Sequence, residues 1–169
     1  MKNILLLLMM TGMILPGCKG QQNKQRTKIE KTGKVVGITD GDTFEWWSGQ
    51  EKLKVRLWGI DCPERRQPFY QKAKEELGKL CFQKNVRLVV KDKDRYGRIV
   101  ALAYTQNGKS VNLEMIRRGY AWNYDKYSKD KTFIRAEKKA RRAKKGLWAD
   151  AHPQAPWKWR KEKRSHSKK

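Results

Sequence analysis

Acidic side chains are scarce in this chain, 17 Asp and Glu against 41 Lys and Arg, so their clustering carries information. Four of them fall in two short segments. GITDGDTF (37–44) places Asp40 and Asp42 on either side of Gly41, and GIDCPE (59–64) adds Asp61 and Glu64, with Arg56 five residues before Asp61. Carboxylates, together with carbonyls and waters, are the ligands a hard divalent cation takes, and a cation between two of them offsets their repulsion. Asp-Gly is also the dipeptide of a type I′ hairpin turn, so DGD alone reads more simply as a chain reversal.

The elements around these residues decide whether they can meet. KVVGIT reads as a first strand, ended by DGD; TFEWW is a second, and SGQE a turn. KLKVRLWGI alternates, with Leu53, Val55 and Leu57 on one face and Lys54 and Arg56 on the other. In a three-stranded meander the junctions after strands one and three fall at the same end, which brings Asp42 near Asp61. Phe69, Ala73, Leu77, Leu80 and Cys81 then repeat with a helical period. VRLVVKD and RIVALAYT are strands four and five, separated by KDRYG. SVNLEMIRRG is a short helix stopped at Gly119, and TFIRAEKKARRAKKG a basic helix with Thr132 as N-cap and Gly146 as its stop. The order predicts an α+β fold: a five-stranded Greek-key barrel of the OB type, with a helix between strands three and four and two further C-terminal helices.

Residues 1–18, MKNILLLLMMTGMILPGC, have the layout of a signal peptide, and the apolar run is too short to span a bilayer. The ending LPGC resembles a bacterial lipobox, which makes Cys18 the expected lipidation site; ordinary secretion with a stray cysteine is the alternative. Residues 19–33 read as a polar tether, 34–150 as the barrel domain, and 151–169 as a basic tail, disordered at its end, with Trp157 and Trp159 packing it onto the body. The expected location is the bacterial cell envelope, with the lipid anchoring a monomer to the membrane. Cys62 and Cys81 are expected to be unpaired thiols. The formal net charge of +24 is spread along the whole chain, which points to a polyanionic partner, nucleic acid first and an anionic membrane or wall polymer second. A cationic envelope protein needs only charge and an anchor, and leaves the carboxylates unexplained.

RLWGIDCPE and DRYGR follow DGDT in that order between Lys34 and Trp148. In this ordered set the chain resembles the thermonuclease, or staphylococcal-nuclease-like, family. The resemblance implies a metal-dependent endonuclease that hydrolyses phosphodiester bonds of DNA, with RNA left open, and with little sequence specificity. It implies one Ca2+, held by the carboxylates of Asp42 and Asp61 and by the backbone carbonyl of Cys62, where the best-known member has Thr; Asp40 looks structural. A thiol at that position would favour a softer cation or make the site sensitive to oxidation. Glu64 is implied as the general base, and Arg56 and Arg98 as the groups that hold the phosphodiester. Arg95 and Tyr96 are implied as contacts to the terminal phosphate and nucleotide, and Tyr127 as a base-stacking residue with Tyr124 as its rival. The segment after DCPE is shorter than in the best-known member. A non-catalytic nucleic-acid-binding OB-fold module is the alternative; retention of Asp42, Arg56, Asp61, Glu64 and Arg98 together speaks against it.

Overall fold

The structure is a computed structural model that describes residues 30–166. The expected signal peptide, Cys18 and the tether up to residue 29 lie outside the described residues.

Five strands close a barrel: β1 (Glu30–Ile38), β2 (Thr43–Trp47), β3 (Lys52–Leu57), β5 (Asn85–Lys93) and β6 (Ile99–Thr105), in the order β1-β2-β3-β6-β5. The first three form the expected antiparallel meander, and β5 and β6 an antiparallel hairpin. Closure comes from β5 pairing with β1 and from a parallel contact of β3 with β6, in which Arg56 stands opposite Val100. The barrel begins earlier than expected. Residues 30–33, which the sequence assigns to the tether, pair with 86–89 of β5.

Side chains alternate along each strand, so one face of every strand fills the interior. Val35, Phe44, Trp46, Val55, Leu57, Val86, Leu88, Ala101 and Ala103 make that core. Helix α1 (Tyr70–Cys81) lies between strands three and five in the chain and buries Ala73, Leu77, Leu80 and Cys81, the expected stripe. Helix α2 (Val111–Arg117) is capped by Ser110, whose side chain accepts from the Leu113 N–H. Its buried Asn112 accepts from the Ala103 N–H and donates to the Trp58 carbonyl, both at 2.9 Å. That amide pins α2 to the barrel where β3 ends.

Helix α3 (Lys131–Arg142) is capped by Asp130, which accepts from the Thr132 N–H at 2.7 Å; the expected cap, Thr132, is already inside the first turn. A 3₁₀ turn (Gly146–Ala149) follows. Two short elements, β4 (Ile60–Asp61) and β7 (Trp122–Asn123), pair antiparallel and hold Asp61 opposite Trp122. Around Trp122 a second apolar cluster forms with Ala140, Leu147, Trp148 and Ala155, and Phe69 packs against it instead of extending α1. The tail is helical through residue 166, and its expected disordered end, residues 167–169, lies outside the described residues. Pro156–His166 is a further helix, α4, and Pro156 at its first position suits a residue with no N–H to leave unpaired.

Candidate active site

The meander does what its alternation requires. Thr43 stands opposite Arg56, and the Leu57 N–H donates to the Asp42 carbonyl at 2.8 Å, so the β1–β2 connection is fastened to the end of β3. Gly41 in that connection has no positive φ, so DGD is not a type I′ turn. Its glycine is required by space: a Cβ there would stand 2.8 Å from Ala73 Cβ and from Cys62 Cβ. Close contact with α1 and with the GIDCPE segment sets the path that presents both aspartates. Asp40 accepts the Asp42 N–H at 3.0 Å, the structural part expected of it.

Asp42 and Asp61 are buried and meet at one guanidinium. Arg56 Nη2 lies 3.1 Å from Asp42 Oδ2 and 2.9 Å from Asp61 Oδ1. Its Nη1 donates to the Leu57 and Ile60 carbonyls, both at 2.9 Å. Arg56, expected at the phosphate, is therefore first of all the group that sets the spacing of the two carboxylates. The Cys62 N–H donates to Asp42 Oδ2 at 2.9 Å, and the Thr43 hydroxyl to Asp42 Oδ1 at 3.1 Å.

Two guanidiniums, those of Arg56 and of Arg160 in α4, contact these carboxylates. Burial, and then the charge of Asp42, still push the Asp61 carboxyl up to about 6, and burial and Asp42 push the Asp40 carboxyl up to about 7. Carboxylate oxygens gathered in this way are the donors a hard cation takes. Among the described residues no group of three or more His, Cys, Asp and Glu forms a ready-made cage. The donors on offer are the Asp42 and Asp61 carboxylates with nearby carbonyls and water, a set that fits a calcium-like ion.

The expected influence of the Cys62 thiol is not what the geometry shows. Its Sγ points to the Gly41 carbonyl at 3.2 Å and the residue is 3 % exposed. Burial, then the charge of Asp42, push the thiol well above its usual range, so it is a neutral filler and not a soft ligand. Cys81 is likewise a free, buried thiol, pushed up by burial to about 12. Neither thiol is expected to react with Ellman's reagent at pH 8 until the protein is unfolded in denaturant; a prompt reaction in the native state would place a sulfur at the surface.

Arg98 sits at the foot of β6, two residues before Val100, the register partner of Arg56. It makes no ion pair with Asp42 or Asp61 among the described residues. Asp94 organises it: Oδ2 takes Arg98 Nε at 2.7 Å, while Oδ1 takes the backbone N–H groups of Tyr96 and Arg98 at 3.0 Å. Tyr96 is 73 % exposed, with the guanidiniums of Arg95 and Arg98 at 5.5 and 5.7 Å from its ring. Of the two candidate stacking tyrosines, Tyr124 has a face covered by Trp157, coplanar within 2° at 5.1 Å, while Tyr127 is 58 % exposed. An accessible tyrosine beside arginines is a surface on which bases stack.

Glu64 lies on the loop after Asp61. Its N–H donates to Gln67 Oε1 at 2.9 Å, and the Gln67 N–H donates back to the Glu64 carbonyl at 2.8 Å. Its carboxylate is held by a residue the sequence did not single out, Arg160 of α4. Arg160 Nη1 bonds Glu64 Oε1, and its Nη2 lies 2.8 Å from Asp61 Oδ2. Burial works against the Arg160 charge, but bonds to Asp61 and then Glu64 hold its pKa above the ordinary value, so it is a full cation.

A closed five-stranded barrel with acidic residues and arginines gathered at the end of its meander places this chain among the OB-fold barrels that carry a polar site at one mouth. Comparison narrows the class. A family model described as Staphylococcal nuclease homologue matches residues 54–150, which include Arg56, Asp61, Glu64 and Arg98. The chain is 41% identical over 164 residues to an uncharacterized endonuclease of Haemophilus influenzae, covering 96% of this chain and 87% of that one. It is 39% identical over 139 residues to a micrococcal nuclease of Shigella flexneri, covering 76% and 80% of the two chains. It is 37% identical over 150 residues to the staphylococcal-like nuclease CAN1 of Arabidopsis thaliana, covering 86% of this chain and 46% of that protein. The chain belongs to the staphylococcal nuclease family.

Proposed function

We propose that the protein is an exported, lipid-anchored, calcium-dependent nuclease that hydrolyses phosphodiester bonds of DNA, with RNA as a further substrate. The observation that carries this reading is the convergence of Asp42 and Asp61 on Arg56 with Glu64 alongside, at the barrel mouth. In this reading Asp42, Asp61 and the Cys62 carbonyl hold the cation, which when bound supplies Lewis-acid charge to a phosphate oxygen. Glu64 orients the attacking water and accepts its proton. Arg56 and Arg98 add fixed positive charge where the phosphorane gathers negative charge. Tyr96 and Arg95 at the loop tip, and Tyr127, take the flanking nucleotides. The net charge of +24 recruits the polyanion through phosphate contacts.

The test uses residues 18–169 with Cys18→Ser, and follows acid-soluble nucleotides released from single-stranded DNA. Turnover is expected with calcium and is expected to vanish in chelator and return on adding calcium back. Tight DNA binding without turnover under any divalent cation would favour the binding-module reading. The anchor is tested separately in a bacterial host. Wild-type chain is expected to incorporate labelled fatty acid and fractionate with membranes, and Cys18→Ser to do neither; an unlabelled wild type would make it a freely secreted protein.

A further inference from the structure

Helix α4 lies beyond residues 54–150, the span matched by the family model. It nevertheless reaches the centre of the site. Arg160 contacts both oxygens of Asp61, with Nη1 at 3.3 Å from Oδ1 and Nη2 at 2.8 Å from Oδ2, and shares Nη1 with Glu64. We propose that Arg160 is a third active-site arginine, a positioning residue that fixes the Glu64 carboxylate against Asp61 so that the attacking water is held at the phosphate. The inference rests on the nuclease reading above.

Three features support a built site over a chance ion pair. The first is the need. Glu64 stands in an irregular loop containing two residues with positive φ, Arg66 and Phe69, and its side chain is 38 % exposed. A carboxylate in such a loop has several rotamers, and a proton acceptor works only in the one that faces the water. The Arg160 fork supplies the constraint, and its planar geometry ties two carboxylates at once.

The second is the foundation. Ala155 and Pro156 are buried, and Trp157 stacks on Tyr124 and meets Trp122 edge-on at 5.6 Å. Trp122 is the register partner of Asp61, so the aromatic surface that seats the tail and the backbone that carries Asp61 are one unit. The third is a cross-tie. Gln67, 6 % exposed, accepts from the Glu64 N–H and donates from Nε2 to the Gln154 carbonyl at 2.7 Å. One side chain thus joins the Glu64 loop to the start of α4.

The experiment compares wild type, Arg160→Ala and Arg160→Lys in steady-state kinetics on single-stranded DNA, with calcium affinity measured by calorimetry and folding by circular dichroism. Loss of a partner that orients a site carboxylate costs about 10- to 100-fold. Arg160→Ala is expected to lose that much in kcat with KM for DNA changed less than about threefold. Arg160→Lys is expected to recover little of it, because an ammonium lacks the fork. Added methylguanidinium is expected to restore turnover to Arg160→Ala, which separates a missing group from a misfolded protein. Unchanged kcat in Arg160→Ala would overturn the proposal. So would faster turnover with tighter calcium binding, because that would make Arg160 a plug that competes with the cation. A wild type that binds calcium but never cleaves would instead remove the nuclease reading, and this inference with it.

Discussion

Glu64→Gln is expected to lower kcat for DNA hydrolysis by on the order of 10²-fold or more while leaving the fold intact, because it removes the proton acceptor and little else. Glutamine keeps the size of glutamate and an Oε1 that still accepts from Arg160, so the link from α4 to the Asp61 side is preserved. The backbone bonds between residue 64 and Gln67 do not involve the side chain that is changed. Calcium affinity and the KM for DNA are therefore expected to move little, and the midpoint of thermal unfolding to stay within a few degrees. The measurement is a full kinetic comparison at saturating calcium. A variant that keeps a third or more of wild-type kcat would show that Glu64 neither takes the proton nor places the water.

Arg56→Met is expected to produce the largest change in stability, because it takes from buried Asp42 its guanidinium partner and leaves buried Asp61 with Arg160 alone. The Arg56 side chain is 15 % exposed, and those of Asp42 and Asp61 are 9 % and 2 %. Removing one partner of a buried ion pair costs about 3–5 kcal/mol, since the charge left behind keeps its desolvation penalty and loses its compensation. Methionine fills much of the volume, so the loss reports charge more than packing. The Leu57 and Ile60 carbonyls lose their donor as well. Urea unfolding in chelator measures the cost. Adding calcium is expected to recover part of it, because an ion that binds only the folded state stabilises it and would here replace the missing charge. A loss below about 1 kcal/mol in chelator would mean that the cluster relaxes or neutralises without Arg56, contrary to its place in the structure.

Much of this architecture can be read locally from the chain. The alternation of Leu53, Val55 and Leu57 and the turns DGD and SGQE specify a meander, and a meander suffices to bring Asp42, Arg56 and Asp61 to one end. The period from Ala73 to Cys81 specifies α1 for the same reason. Features that depend on distant partners are not legible in this way. The periodicity of β3 and of β6 does not disclose that the two strands pair in parallel. Glu30–Gly33 look like tether because they are polar, and become strand because β5 offers them a ladder. Asp130 and Thr132 are both good caps, and the local sequence does not choose between them. Gly41 looks like a turn glycine until the neighbouring Ala73 and Cys62 show that it is kept small by crowding.

Arg160 is the plainest case. It is one of 41 basic residues, and it sits in WKWRKEK, a stretch whose composition reads as solvated tail. Its partners Asp61 and Glu64 are 99 and 96 residues away in the chain. The available signal was Pro156 as a helix start followed by two tryptophans, which marks an anchored helix without saying what the helix delivers. Asp94 and Gln67 escaped notice for a related reason: each works through backbone groups of a loop whose shape only the fold defines.

The position of α4 at the end of the described chain also bears on when the site comes together. Closing a loop of that length costs entropy that grows with the logarithm of the separation, so the contact of Arg160 with Asp61 is repaid only after the barrel and the Trp122 surface exist to receive it. Chains emerge from synthesis N-terminus first, and Arg160 follows every strand and every other site residue. The constellation around Glu64 is thus finished as one of the last acts of folding, after nearly all of the described polypeptide has been made.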